Sequence, residues 1–374
     1  MLKPSWSSDN DSRRAEDMMA AKETTQWSEG LELIGGLNSS VNGSMFSSQE
    51  ADNSSRGGDA SLAAGGAGFV IIVRCFVVAF GVIGFVLNSF VLGAVSSKKF
   101  KRNTSHVFLI NQVIMDTLSS VLLIVVYTFK LAAADYYYEG PRGYAVCILF
   151  YSDVLVFTVQ VGSIASLVLI AAERYFKIVL PVLHKRFYQD WMTMVAIAFA
   201  WINGILMNIA ILFTSGVVDG NCLAFYFFPT PNASTVYVLF LVTWQFLIPL
   251  LLFVWFYGSI LFVIRRRNRV IHGNSNSDDS RARRSELNIV ITMFSVSLSF
   301  VVSWFPNQFL CILNMMKVIQ FDYSPTLLFV FLNTCLNPLI YASKHELVRK
   351  NLRRMFAKVN KETTNTTQLI SVVT

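Results

Sequence analysis

Charged side chains make up only 14% of this 374-residue chain, and 54% of it is hydrophobic. A soluble domain carries nearer a quarter of its residues as charges. Histidine is rarer still: of the four present, only His106 stands near an apolar stretch. Neither a nucleophile paired with a base nor a cluster of metal ligands is visible, so the chain does not read as an enzyme and no cofactor is expected. The opening Met1-Leu2-Lys3-Pro4 lacks the apolar core of a cleaved leader, which leaves insertion to the first apolar run. The inverted symmetry and paired broken helices of a secondary transporter are also missing.

What is present is hydrocarbon-soluble sequence. Seven apolar runs, 69–95, 106–132, 147–176, 191–213, 235–264, 287–316 and 324–342, each reach the length that crosses ~30 Å of bilayer core. The connections after runs one, three, five and seven are basic: Lys98 to Arg102, Lys177 to Arg186, Arg265 to Arg284, and Lys344 to Arg354. The alternate ones hold only Lys130, Arg142 and Lys317 in or beside them. The positive-inside rule therefore puts the N-terminus outside and the C-terminus in the cytoplasm. The net charge of +8 belongs mostly to the inner loops, where it suits anionic lipid and a cytoplasmic protein partner rather than nucleic acid.

The expected organisation is an all-α membrane protein, a seven-transmembrane helix bundle over 69–342. Residues 1–68, with five basic against ten acidic side chains, read as a disordered outer tail. Asn10, Asn38, Asn42 and Asn53 there, and Asn232 further on, begin glycosylation sequons on the outer side. Residues 343–357 read as a short amphipathic eighth helix on the inner surface, with Leu347, Leu352, Met355 and Phe356 among basic groups. Residues 358–374 form a flexible tail.

Some residues oppose this hydrocarbon. Asp116 near the middle of the second run costs about 2.5–3.5 kcal/mol on insertion scales, so it should face inward with a partner. The seventh run ends in Asn333-Thr334-Cys335-Leu336-Asn337-Pro338-Leu339-Ile340-Tyr341. Its amides are expensive in lipid, and Pro338 removes a backbone donor.

Taken in order, one group of motifs per run, the chain resembles the rhodopsin-like (class A) G-protein-coupled receptors. The resemblance covers about 69–357. It rests on Gly84 and Asn88; Asn111 and Asp116; Glu173-Arg174-Tyr175; Trp201; Pro249 and Tyr257; Phe300 and Trp304-Phe305-Pro306; and Asn337-Pro338-x-x-Tyr341. The chain departs from the pattern in places. Cys147 lies two residues further from Arg174 than usual, and the fourth run lacks the usual proline after Trp201. No cysteine follows the seventh run to carry a lipid.

The resemblance implies a plasma-membrane receptor that passes extracellular ligand binding to heterotrimeric G proteins, with arrestin and receptor kinases as further partners. It implies a sodium and water site at Asp116, Ser163, Trp304, Asn333 and Asn337, with sodium as an allosteric modulator. It implies a switch made of Glu173, Arg174, Tyr175, Tyr257, Glu286, Phe300, Trp304, Pro306, Asn337, Pro338 and Tyr341. In the resting state Arg174 is expected to pair with both Glu173 and Glu286. Cys147 and Cys222 are expected to form the outer disulfide.

The implied ligand pocket comprises Asp153, Val156, Phe157, Gln160, Gln245, Asn307, Gln308 and Phe331. Val156 stands where amine receptors carry an acid, so a deep amine site is not expected. Asp153, one turn above, reads either as a cap or hydrated acid at the helix start or as a partner for a ligand cation. The aromatic outer loops lean toward a neuropeptide-like ligand, with a non-amine small molecule as the alternative. A retinal Schiff base is not expected, because the seventh run has Phe331 where the lysine would stand and Lys344 lies beyond Tyr341.

Overall fold

The computed structural model describes residues 58–96, 104–133, 138–187, 189–223, 228, 230, 232–270, 277–316, 318, 324–355 and 357. Each apolar run forms helix, and the seven spans assemble from helices α1 to α10. The first span is α1 (Gly58–Val95) and the second is α2 (Thr104–Ala132). The third begins as α3 (Gly140–Val146), passes through a π-helical turn (Cys147–Tyr151) and continues as α4 (Val154–Val179). A short α5 (Pro181–Phe187) leads to the fourth span, α6 (Asp190–Thr214). The fifth is α7 (Ala233–Val242), a second π turn (Thr243–Leu247) and α8 (Ile248–Val270). The sixth is α9 (Ser277–Met315) and the seventh α10 (Leu327–Lys344). After a break at His345, residues 346–355 form the eighth helix, α11.

The helices outrun their apolar cores. The first starts at Gly58 rather than 69, the sixth at Ser277 rather than 287, and the seventh ends at Lys344 rather than 342. Hydrocarbon length bounds the apolar run but not the helix.

The third span occupies the centre. Its apolar window is 67% buried, against 17% for the first span and 22% for the fifth. It packs on the second, fourth, fifth and sixth spans. The crossing with the fourth span is close because a glycine faces a glycine: a Cβ on Gly204 would collide with the Thr158 carbonyl and press on Gly162. Trp201 and Asn111 tie spans four and two on that side, with the indole donating to Asn111 Oδ1 at 3.1 Å. The core along the third span runs through Leu167, Ile170, Phe253, Phe300, Trp304 and Tyr341. Apolar side chains on the outward faces, among them Ile205, Leu251 and Phe262, remain exposed, as lipid contact requires.

The expected disulfide is formed. Cys147 is bonded to Cys222, which sits on a two-stranded hairpin, β1 (Gly216–Val218) and β2 (Asn221–Leu223). Cys75, Cys311 and Cys335 are not in disulfides. The odd spacing between Cys147 and Arg174 has a local cause. A π turn holds one residue more than an α turn, and Asp153 then takes a left-handed step with φ of 58°. Both irregularities fall within the stretch between Cys147 and Arg174.

Candidate functional site

Asp116 is 4% exposed and does find partners. Ser163 donates to its Oδ1 at 3.0 Å and Asn337 to its Oδ2 at 3.0 Å. Gln112, one turn earlier on α2, donates to Oδ1 at 3.3 Å. Three spans thus converge on one carboxylate. A small cavity beside it is lined by Ser119, Gln160, Ser163, Trp304, Asn333 and Thr334, among others. Three buried acceptors of this neighbourhood, Gln112 Oε1, Gln160 Oε1 and Asn337 Oδ1, receive no hydrogen bond. Orphan carbonyl oxygens around a carboxylate are the hard donor set that fits a small hard cation or water. Gln160, expected in the ligand pocket, lines this cavity and donates to Ser119 at 3.5 Å.

The seventh helix runs unbroken through Pro338. Proline has no N–H to give to the carbonyl four residues earlier, that of Thr334. Asn88 of the first span supplies the missing donor, with Nδ2 3.1 Å from Thr334 O and 2.9 Å from Gly84 O. The backbone debt of one span is met by a side chain of another.

Below the cavity the aromatic rings continue. Trp304 packs on Phe300 at 5.5 Å, and Phe300 on Phe253 at 6.1 Å. Tyr257 follows, in edge contact with Phe294, its hydroxyl 3.1 Å from Ser297 Oγ. Tyr341, one turn past Asn337, is wholly buried with no hydrogen bond to its hydroxyl. Arg174 lies at this end, 3.2 Å from Glu173 Oε2, and Ser105 donates to Glu173 Oε1 at 2.9 Å. Tyr175, beside it, packs its ring on Phe256 at 5.3 Å.

The expected second pair is absent. Glu286 is exposed at the foot of the sixth span and makes no ion pair with Arg174. Glu173, its neighbour in sequence, lies within ion-pair distance of the guanidinium, but Arg174 Nε and Glu173 Oε2 do not meet in hydrogen-bond geometry. His345 sits where α10 gives way to α11, and burial pushes its imidazole down to about 4, with the charge of Arg174 acting in the same direction. On α11, Val348 and Asn351 face inward, and Asn351 donates to Ala94 O of the first span at 3.0 Å. Leu347 and Met355 face out. Phe356 lies outside the described residues.

The disulfide end holds what sequence reading missed. Asp153 makes no capping hydrogen bond to α4 through its side chain. It is ion-paired with Lys130 of the second span at 2.7 Å, their side chains 13% and 9% exposed. Tyr127 donates to the same carboxylate oxygen at 3.4 Å. Lys130 lies two residues before the end of α2, which is why its charge reads from sequence as part of the loop. The signal available was a lysine inside a long apolar run.

The other pocket residues are spread. Val156 and Phe331 are fully buried, and Phe331 packs between Tyr127 at 5.5 Å and Phe157 at 6.3 Å. Gln245 lies in the second π turn beside Phe246. Asn307, just after Pro306, donates to Thr326 at the start of the seventh span at 2.9 Å, and Gln308 is buried next to it. Of the sequons, Asn232 is exposed at the start of α7. Asn10, Asn38, Asn42 and Asn53 lie outside the described residues.

Known proteins resemble this chain in sequence. Residues 87–341 match the family described as 7 transmembrane receptor (rhodopsin family). A melatonin receptor type 1A of Gallus gallus is 24% identical over 288 residues, which cover 74% of this chain and 77% of that one. A melatonin receptor type 1C of the same species is 26% identical over 311 residues, 80% of this chain and 84% of that one. A Gq-coupled rhodopsin of Mizuhopecten yessoensis is 25% identical over 298 residues, 75% of this chain and 58% of that one. With the spans and their motifs in place over the matched length, the chain belongs to the rhodopsin family of seven-transmembrane receptors, and is a receptor rather than an enzyme.

Proposed function

We propose that this receptor lies in the plasma membrane with its disulfide end outside, takes a small ligand above Trp304, and activates a G protein from its Arg174 end. The observation that carries the reading is the buried line from Trp304 and the Asp116 cavity, through Asn337, to the unpartnered Tyr341 hydroxyl. Such a line has two ends and a weak point at Pro338, and it suits a device with two packings. The orientation is supported by the basic loops at the Arg174 end. Ligand occupancy would move Trp304 and Phe300, swing the sixth span out, and let Tyr257 and Tyr341 approach Arg174.

Asp116, Ser163, Asn333 and Asn337 would hold sodium in the resting state, and the orphan acceptors around Asp116 support this. Bound there, the ion would supply a positive charge that pins spans two, three and seven together. Arrestin and receptor kinases would act on the Ser/Thr-bearing tail past residue 357.

A small ligand is favoured over a peptide because the relatives above are named for melatonin, a small molecule. Retinal is disfavoured even though the bundle does contain a lysine. Lys130 stands in the second span, already paired, whereas Phe331 occupies the position in the seventh. The test is nucleotide exchange on G proteins in membranes bearing the receptor, with melatonin and neutral analogues as probes. Stimulation by these supports the reading; stimulation by peptides alone would remove its ligand half, and none by any probe would remove the rest.

A further inference from the structure

The surroundings of Lys130 are those of a bound ligand. Its ammonium stands 2.7 Å from a carboxylate oxygen of Asp153 and over two tyrosine rings, 4.7 Å from the centre of Tyr127 and 5.3 Å from that of Tyr151. Both rings fall within the ~6 Å over which a cation is attracted to an aromatic face. A carboxylate with aromatic walls is the usual receptacle for an organic ammonium. Here the ammonium arrives on a side chain of the second span, while the acid and one ring come from the third.

We infer that Asp153, Tyr127 and Tyr151 form an ammonium-binding site that the receptor fills with its own Lys130, and that this self-occupancy excludes amine ligands.

Three further observations support the assignment. The backbone that carries the acid is irregular: the third span passes through a π turn and a left-handed step at Asp153, a conformation that aspartate takes more readily than most residues other than glycine, and its carboxylate meets the second span. Its capacity exceeds what Lys130 uses, because Asp153 Oδ1 is buried without a hydrogen bond. A neutral donor could bind there alongside the ammonium, whereas a second cation would not. The lysine is also held in place from behind, since Arg74 of the first span donates to the Lys130 carbonyl at 2.7 Å. With Arg74 and Lys130 against the single Asp153, an incoming cation would meet net repulsion, whereas a neutral ligand would not. Exclusion of amines rests on the ligand end proposed above, whereas the binding site itself does not.

The experiment is chemical rescue of the full-length receptor in detergent or nanodiscs. Lys130→Ala removes three carbons and the ammonium, the outline of n-propylammonium. Added as its chloride, with sodium chloride at equal ionic strength as control, n-propylammonium should raise the Tm of Lys130→Ala by about 3 °C at ten times its Kd. Wild type and the double variant Lys130→Ala/Asp153→Asn should not respond. If Lys130→Ala does not accumulate, its surface level in cells grown with n-propylammonium becomes the readout, and it should rise at least twofold while the double variant's does not. An equal response in all three proteins, or none in Lys130→Ala by either readout, overturns the site. Selectivity is read separately, with melatonin and its amine counterpart 5-methoxytryptamine. Lys130→Gln should bind the amine at least tenfold more tightly than wild type does; an unchanged ratio overturns the exclusion but leaves the rescue result standing. Failure of G-protein coupling alters neither the Tm nor the binding readout.

Discussion

Each end of the bundle buries an acid and a base, and the two pairs differ in what they join. Lys130 and Asp153 lie 23 residues apart on different spans, so their bond fixes the second span against the third. Arg174 and Glu173 are neighbours on one helix, so their ion pair joins no second span, and Glu173 is tied to the second span only through the neutral Ser105 hydroxyl. The disulfide from Cys147 to the β hairpin adds a second clamp at the first end. At the other, Tyr341 has no partner and Glu286 stands off in the open. One end is cross-braced, and the other is left able to rearrange.

The largest test of that contrast is to unbrace the first end. Asp153→Ala leaves the Lys130 ammonium buried without its acid and should cost about 3–5 kcal/mol, read as a fall in Tm and surface level. Glu173→Gln should cost less and instead raise basal nucleotide exchange. A stability loss as great as that of Asp153→Ala would erase the distinction. Next is Arg174→Ala, expected to reduce stimulated exchange at least tenfold while ligand affinity stays within about threefold, a split that Asp153→Ala should not show. Asp116→Asn should remove any dependence of agonist affinity on sodium. Retained dependence would dismiss the proposed cation site.

A smaller effect is expected from pH. The folded His345 binds its proton only near 4, whereas the unfolded imidazole does so near 6.5. Across that window the unfolded chain holds more protons. The stability contributed by neutral His345 is therefore complete above about pH 6.5 and is lost as pH falls toward 4. His345→Gln should flatten the decline in Tm between about pH 7 and 5, and an unaltered slope would assign the effect elsewhere. The smallest is Glu286→Ala. With no bond to Arg174 in this conformation, basal exchange should change less than about twofold, and a large rise would reveal a resting state in which the pair forms.

Much of the architecture could be read in advance because hydrocarbon is a strict solvent. Seven runs of the right length must be helices, and Asp116, Asn337 and Pro338 carried costs large enough to demand partners. The Asp116–Asn337 bond and the Cys147–Cys222 disulfide answer those demands. What stayed hidden has local causes. Cys147-Ile148-Leu149-Phe150-Tyr151 is equally apolar as α or π helix, so nothing in its composition announces the π turn. Lys130 looked like loop charge because its partner is on another span, in a register that only the π turn and Asp153's φ establish. The Arg174–Glu286 pair failed for another reason. Sequence gives the residues of a switch but not which of its positions is occupied.

The bond from Asn88 to Thr334 has a consequence for assembly. In the bilayer core a carbonyl without a donor costs several kcal/mol, and the one left open by Pro338 is closed by the first span to be made. The last span is therefore unable to reach its final state alone. Its insertion is completed by a residue synthesised 246 positions earlier. Chain order thus supplies a checkpoint: the seventh span settles where the first is already in place, and the bundle closes as a ring rather than growing as a row.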